Sequence, residues 1–109
     1  MQTPLTVTFR NIEPSQAIEI HVRQRFEDLG RLHPRIVDGD VTIEAPQKRQ
    51  VSGRPFKVHL RVGIPGPDVN VTRESGKGSA AEDINLAVND AFETAGRLLV
   101  EKKREAAGH

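Results

Sequence analysis

Glu82-Asp83-Ile84-Asn85-Leu86-Ala87-Val88-Asn89-Asp90-Ala91-Phe92, running on to Lys102-Lys103-Arg104, decides how the rest of the chain is read. Apolar residues recur at Ile84, Val88, Ala91, Ala95 and Leu98, with Ala87, Phe92 and Leu99 beside them. This is helical spacing, and it predicts a helix with one stripe lying on a core. Beyond Val100 the chain turns basic and polar, which predicts that the helix gives way to a charged, solvated tail from about residue 101.

A second stripe of the same kind lies upstream, at Ile18, Val22, Phe26 and Leu29, with Arg25 at its edge. Ser15 suits the N-cap, because its hydroxyl can accept an orphan N–H of the first turn. Gly30 suits the stop, since it can take the left-handed conformation that closes a helix. Ile20 falls on the outer face, which asks either for a covering partner or for a shifted helix phase.

Between and before the helices the period changes to two. Leu5, Val7 and Phe9 alternate with Thr6, Thr8 and Arg10, as a half-buried strand does. Val41 and Ile43 predict a second strand, after a connection from Pro34 to Asp40. Phe56, Val58, Leu60 and Val62 face one way and Lys57, His59 and Arg61 the other, which is the clearest strand of all. Pro65-Gly66-Pro67-Asp68 is a turn, and Val69 and Val71 form a short fourth strand. The short connections favour an antiparallel meander. The expected architecture is α+β, in the order β-α-β-β-β-α: a four-stranded mixed sheet, mostly antiparallel, with two helices on one face.

Composition narrows the function classes. A chain of 109 residues holds one domain and one core, so residues 1–109 are read as a single unit. With 36% apolar and 28% charged residues, the chain has the make-up of a folded soluble domain. It has no cysteine, which excludes disulfides and thiolate metal sites and fits a reducing cytoplasm. Met1-Gln2-Thr3-Pro4 does not open a secretory signal, and no apolar run approaches spanning length, so a cytoplasmic protein without membrane contact is expected. A net charge of +1 does not announce a nucleic-acid binder, so the placement of the charges must decide.

The residues for catalysis do not converge. His21, His33, His59 and His109 are scattered over helix, loop, strand and terminus, none beside a serine in a nucleophile motif. Asp38-Gly39-Asp40 lacks the further oxygen ligands of a calcium loop. Gly76-Lys77-Gly78-Ser79 lacks the upstream glycine of a phosphate-binding loop and reads as a linker. With Lys77 beside a helix start, it keeps the capacity to touch one phosphate. The expectation is no catalytic residue, no metal, no cofactor and no small-molecule substrate. An enzyme using His59 would require a deep pocket and a carboxylate within hydrogen-bond reach.

The cations are more informative. Arg23, Arg25, Arg31 and Arg35 lie on or just after the first helix, and Arg97, Lys102, Lys103 and Arg104 on the second. Lys48, Arg49 and Arg54 fall in a central loop without acidic residues, and Arg73 and Lys77 precede the last helix. Some will pair locally, as Glu19 with Arg23 at i, i+4. Collectively they suit phosphate binding, which adds many weak contacts and requires no fixed motif. The outer sheet face offers Thr6, Thr8, Arg10, Thr42, Lys57, His59, Arg61, Asn70 and Thr72, but no aromatic ring on which a base could stack. Backbone and shape recognition of folded RNA is what remains. A protein-interaction module using Ile20, Leu86 and Val100 is the alternative.

Several stretches carry a family resemblance. Ala17-Ile18-Glu19-Ile20-His21-Val22 with Arg25 and Leu29 resembles the first helix of the hibernation-promoting factor and ribosome-associated inhibitor A family. Glu82-Asp83-Ile84 with Ala87-Val88-Asn89 resembles the start of its second helix, and the element order agrees along nearly the whole chain. Val41-Thr42-Ile43-Glu44-Ala45-Pro46, Val62-Gly63-Ile64-Pro65-Gly66 and Asp90-Ala91-Phe92 resemble a branch often fused to a cold-shock domain, which these residues do not include.

The resemblance implies a translation inhibitor that occupies the decoding region of the small ribosomal subunit and stores ribosomes in starvation or stationary phase. Its implied partners are small-subunit rRNA and ribosomal proteins. By position it implies phosphate contacts from Arg25, Arg31 and Lys77. The wider set expected to touch rRNA is Arg23, Arg25, Arg31, Arg35, Lys48, Arg49, Arg73, Lys77, Arg97, Lys102 and Lys103. Asp28 departs from the family, standing where many members have lysine, and Thr94-Ala95-Gly96 is less basic than usual. Without the family's C-terminal dimerisation domain in these residues, pairing of ribosomes by that route is not expected.

Overall fold

A computed structural model describes residues 3–45, 56–74 and 81–107. The expected order is observed: β1 (Leu5–Arg10), α1 (Gln16–Leu32), β2 (Asp38–Glu44), β3 (Lys57–Gly63), β4 (Val69–Glu74) and α2 (Ala81–Ala107). The strands lie side by side in chain order. β1 runs parallel to β2, as a connection through a helix permits, while β2, β3 and β4 form the antiparallel meander.

Register explains why both helices share one face. Val7, Val41, Leu60 and Val71 are successive partners across the sheet, so four apolar side chains form one row. Phe9, Ile43 and Val58 form the next row. These rows meet Ile18, Val22, Phe26 and Leu29 of α1 and Ile84, Ala87, Val88, Ala91, Phe92, Ala95 and Leu99 of α2 in a single core. In the row that joins Leu5, Gly39, Val62 and Val69, Gly39 is required by packing. A Cβ there would stand 2.5 Å from Cε1 of the Phe26 ring.

The opposite face is polar, and one of its rows alternates in sign: Arg10, Glu44, Lys57, Glu74. On the same face Arg61 bridges three carboxylates. Its Nε donates to Asp40 at 2.7 Å, one terminal nitrogen to Asp68 at 3.0 Å and the other to Asp38 at 3.1 Å. These hydrogen bonds push the guanidinium pKa further up, and they tie the start of β2 to the turn before β4.

Several boundaries differ from the sequence reading. Ser15 caps α1 as expected, accepting from the Ile18 N–H at 3.2 Å. Gly30 does not stop the helix, which continues to Leu32 and closes when the His33 N–H donates to Leu29 O at 3.0 Å. Gly30 sits on an uncrowded side of the last turn, so it costs helix propensity, about 1 kcal/mol, and nothing else. Ile20 is 61% exposed, so the helix phase is right and the residue stands in the open. β2 begins at Asp38, taking in residues read as connection.

α2 does not give way after Val100; it runs to Ala107. Glu101, Lys102, Lys103, Arg104 and Glu105 are all strong helix formers, and Arg104 in the last turn offsets the negative end of the helix dipole. The predicted solvated tail is therefore a solvated helix. Among the described residues no helix is long and apolar enough to cross a membrane.

Candidate nucleic-acid interface

The two helices run side by side in the same direction. His21 Nε2 lies 2.7 Å from Asn89 Oδ1, Leu29 Cδ1 packs against the Gly96 position, and His33 feels the charge of Lys103. These pairs advance together along both helices. Their C-terminal ends therefore lie together, which brings Arg31, Arg35, Lys102, Lys103 and Arg104 to one end of the molecule.

Among the described residues the cations divide into matched and unmatched. Arg31 donates to Glu27 at 2.8 Å and lies 3.5 Å from Asp28. Arg23 pairs with Glu19 at 2.9 Å and Arg97 with Glu93 at 3.7 Å, both in the open. Arg73 is not a free surface charge. It stands on the helix side of β4, 3.2 Å from Asp90, and donates to Thr94 at 3.0 Å, bracing the strand against α2. Arg25, Arg35, Lys102, Lys103 and Arg104 make no ion pair among the described residues. Lys48, Arg49, Arg54 and Lys77 lie outside the described residues.

Arg25 is the most unusual of these. It lines the groove between the helices with Leu29, Phe92 and Gly96. Its Nε is buried without a hydrogen-bond partner among the described residues. A desolvated donor of a charged group without a partner is costly, and an anion entering the groove would relieve that cost. Arg97 and Arg104 line the same groove, as do the carboxylates Asp28, Glu93 and Glu101, so its charge is mixed. The next cleft, past the end of α1, is more one-sided: Arg35, Lys102 and Lys103 against Glu105. His33 opens onto both, and its pKa is lowered by burial and by Lys103.

The polar sheet face has a different character. His59 Nδ1 is 3.0 Å from Thr72 Oγ1, while its Nε2 is 3.9 Å from Glu44, beyond hydrogen-bond distance. Among the described residues no cluster of histidine and carboxylate side chains is arranged to hold a metal ion.

Sequence reasoning identified the basic residues and the Glu19–Arg23 pair, but not the other pairings. It places Arg104 among the cations of the second helix and its tail but outside the expected rRNA contacts; its place on a continuing helix was signalled by the helix-forming run after Val100. Arg73 could have been placed by parity, since it shares the alternation of Val69 and Val71 and so faces the core side.

Comparison with known proteins agrees with this architecture. A ribosomal subunit interface protein from Coxiella burnetii superposes with a TM-score of 0.76 at 15% identity, over 94% of this chain and 99% of that one. The Protein Y N-terminal domain of Thermus thermophilus gives 0.68 at 18% identity, over 90% and 96%. At such identities the likeness is one of fold. No curated protein is significantly similar in sequence. The family model described as Sigma 54 modulation protein / S30EA ribosomal protein matches residues 5–106, nearly the whole described fold, and the chain belongs to that family.

Proposed function

We propose that this protein binds the small ribosomal subunit at its decoding region and silences translation by occupancy, without catalysis. The contacts are charge-assisted hydrogen bonds from helix and loop cations to rRNA phosphates. A compact domain seated there blocks the sites of messenger and transfer RNA by its bulk. The observation that carries the reading is the unmatched set of cations: Arg35, Lys102, Lys103 and Arg104 where the two helices end together, and Arg25 in the groove that leads there. Family membership and the ribosomal subunit interface protein among its structural neighbours support it. Arg23, Arg31 and Arg97 join the contact set in this reading by exchanging exposed carboxylates for phosphates, an exchange that costs little because surface pairs are weak. A cytoplasmic site of action and induction in starvation or stationary phase belong to the same reading.

The test is co-sedimentation of the purified protein with isolated small and large subunits over a salt series. Binding to the small subunit alone, lost as salt rises, is the expected result. Absence of binding at low salt, or equal binding to both subunits, overturns it. In the former case a fold with another macromolecular partner is left.

A further inference from the structure

The cleft past the C-terminal end of α1 has a floor that phosphate binding does not explain. Leu32, Ile64, Pro65 and Leu99 line it, all aliphatic. Leu32 is 74% exposed, although a leucine gains most by burial. The rim is cationic, with Arg35, Lys102 and Lys103 unmatched among the described residues and Glu105 the one carboxylate in the lining. The volume, about 670 Å³, falls within the range of roughly 300–1,000 Å³ typical of sites that enclose a ligand-sized group.

We propose that this cleft docks an acidic peptide segment of a partner protein, with an apolar side chain of that segment seated on the aliphatic floor. Charge complementarity selects the occupant: carboxylates on the segment meet Arg35, Lys102 and Lys103, while a leucine-like anchor covers Leu32. RNA fits less well. Its phosphates would satisfy the rim but leave the floor wet, and the floor has no aromatic face for a base. The inference goes beyond ribosome binding and does not depend on it. Because the rim is shared, a docked acidic segment and rRNA phosphates would compete for Lys102 and Lys103.

The experiment is fluorescence anisotropy with the full chain and a short labelled peptide of aspartate and glutamate around a central leucine pair. A peptide with serines for the leucines and one with lysines for the acidic residues serve as comparisons. Saturable binding is expected, weakened about tenfold or more by the serine exchange, since each buried leucine contributes roughly that factor. The lysine peptide should not bind. On the protein, Leu32→Ser should weaken the leucine peptide about tenfold and leave the melting temperature unchanged, because Leu32 is largely exposed. Its co-sedimentation with small subunits should also be unchanged, which separates this proposal from the ribosome reading. Equal binding of the leucine and serine peptides, or no loss in Leu32→Ser, overturns the proposal and assigns the cleft to simple polyanion binding. A short mixed-sequence RNA that binds the cleft while the leucine peptide does not would assign it to RNA.

Discussion

If the unmatched cations hold rRNA phosphates, the salt dependence of subunit binding can be worked out from the structure. Each phosphate neutralised contributes roughly 0.7 to 0.9 to the slope of log affinity against log salt. Arg25, Arg35, Lys102, Lys103 and Arg104 make no ion pair among the described residues, so they release counterions without first giving up a carboxylate. Five contacts give a slope of about −3.5 to −4.5, and a fourfold rise in salt then lowers affinity by about 130- to 500-fold. The perturbation is Lys102→Gln with Lys103→Gln, two helix-compatible replacements on a solvated stretch of α2. Their loss should flatten the slope by about 1.4 to 1.8. Arg31→Gln is the informative comparison. Arg31 already holds Glu27 at 2.8 Å and Asp28 at 3.5 Å, so its phosphate contact largely trades one anion for another. Its replacement should change the slope by less than about half a unit. The assay is quantitative co-sedimentation with isolated small subunits at several salt concentrations. If Arg31→Gln flattens the slope as much as the double replacement, or if the double replacement leaves it unchanged, pairing state does not govern the interface and the reasoning fails.

Three further outcomes concern the scaffold. Gly39→Ala drives a Cβ to 2.5 Å from the Phe26 ring, and the overpacking should cost about 1–3 kcal/mol in denaturant unfolding; an unchanged midpoint would mean that the ring is not held there. Gly30→Ala should stabilise the protein by about 0.5–1 kcal/mol, since it lies within α1 with nothing near its missing Cβ; a loss would show that the last turn of α1 is not helical in solution. The pKa of His33 is lowered from its ordinary 6.5, so over the window just below pH 6.5 the unfolded chain binds more protons. His33 then contributes stability that is present above pH 6.5 and lost as pH falls through its folded value. Its imidazole resonances should titrate below 6.5, moving up in Lys103→Met, and His33→Gln should flatten the acid side of the stability profile. A titration at or above 6.5 would mean that His33 is neither buried nor held beside Lys103.

Much of the fold was legible because periodicity is a local property. The stripe Ile18, Val22, Phe26, Leu29 is buried as its spacing requires, and the alternation at Val58, Leu60 and Val62 is the core row of β3. Ile20 looked like an error of phase only because an exposed isoleucine is unexpected, and the angular count was right. Helix ends were less legible, because propensity competes with packing there. Gly30 is tolerated since Leu29 is buried beside it, and the run after Val100 stays helical although little of it packs. Pairing was least legible. Arg73 meets Asp90 across a gap in sequence that no local pattern bridges, and Arg61 gathers Asp38 and Asp40 from β2 and Asp68 from the turn before β4.

The same consideration explains how the fold holds so many unmatched cations at one end. An α-helix carries a partial negative charge at its C-terminus, and cations are stabilising within its last turn. Here the helices run in the same direction, so two such termini lie together, with His33 closing α1 near Lys103 on α2. Arg35 just past α1 and Arg104 in the last turn of α2 find a favourable field there without a carboxylate partner. The cost of concentrating positive charge is thus partly offset by the backbone itself. An ordinary ion pair would offset it too, but would also remove the charge from the surface, as Glu27 does for Arg31. Dipole compensation leaves the guanidinium and ammonium groups free to bind anions. A phosphate-binding surface is therefore to be sought where this fold brings its helix ends together, and the polar sheet face, where Arg61 is already saturated by aspartates, is the poorer place to look.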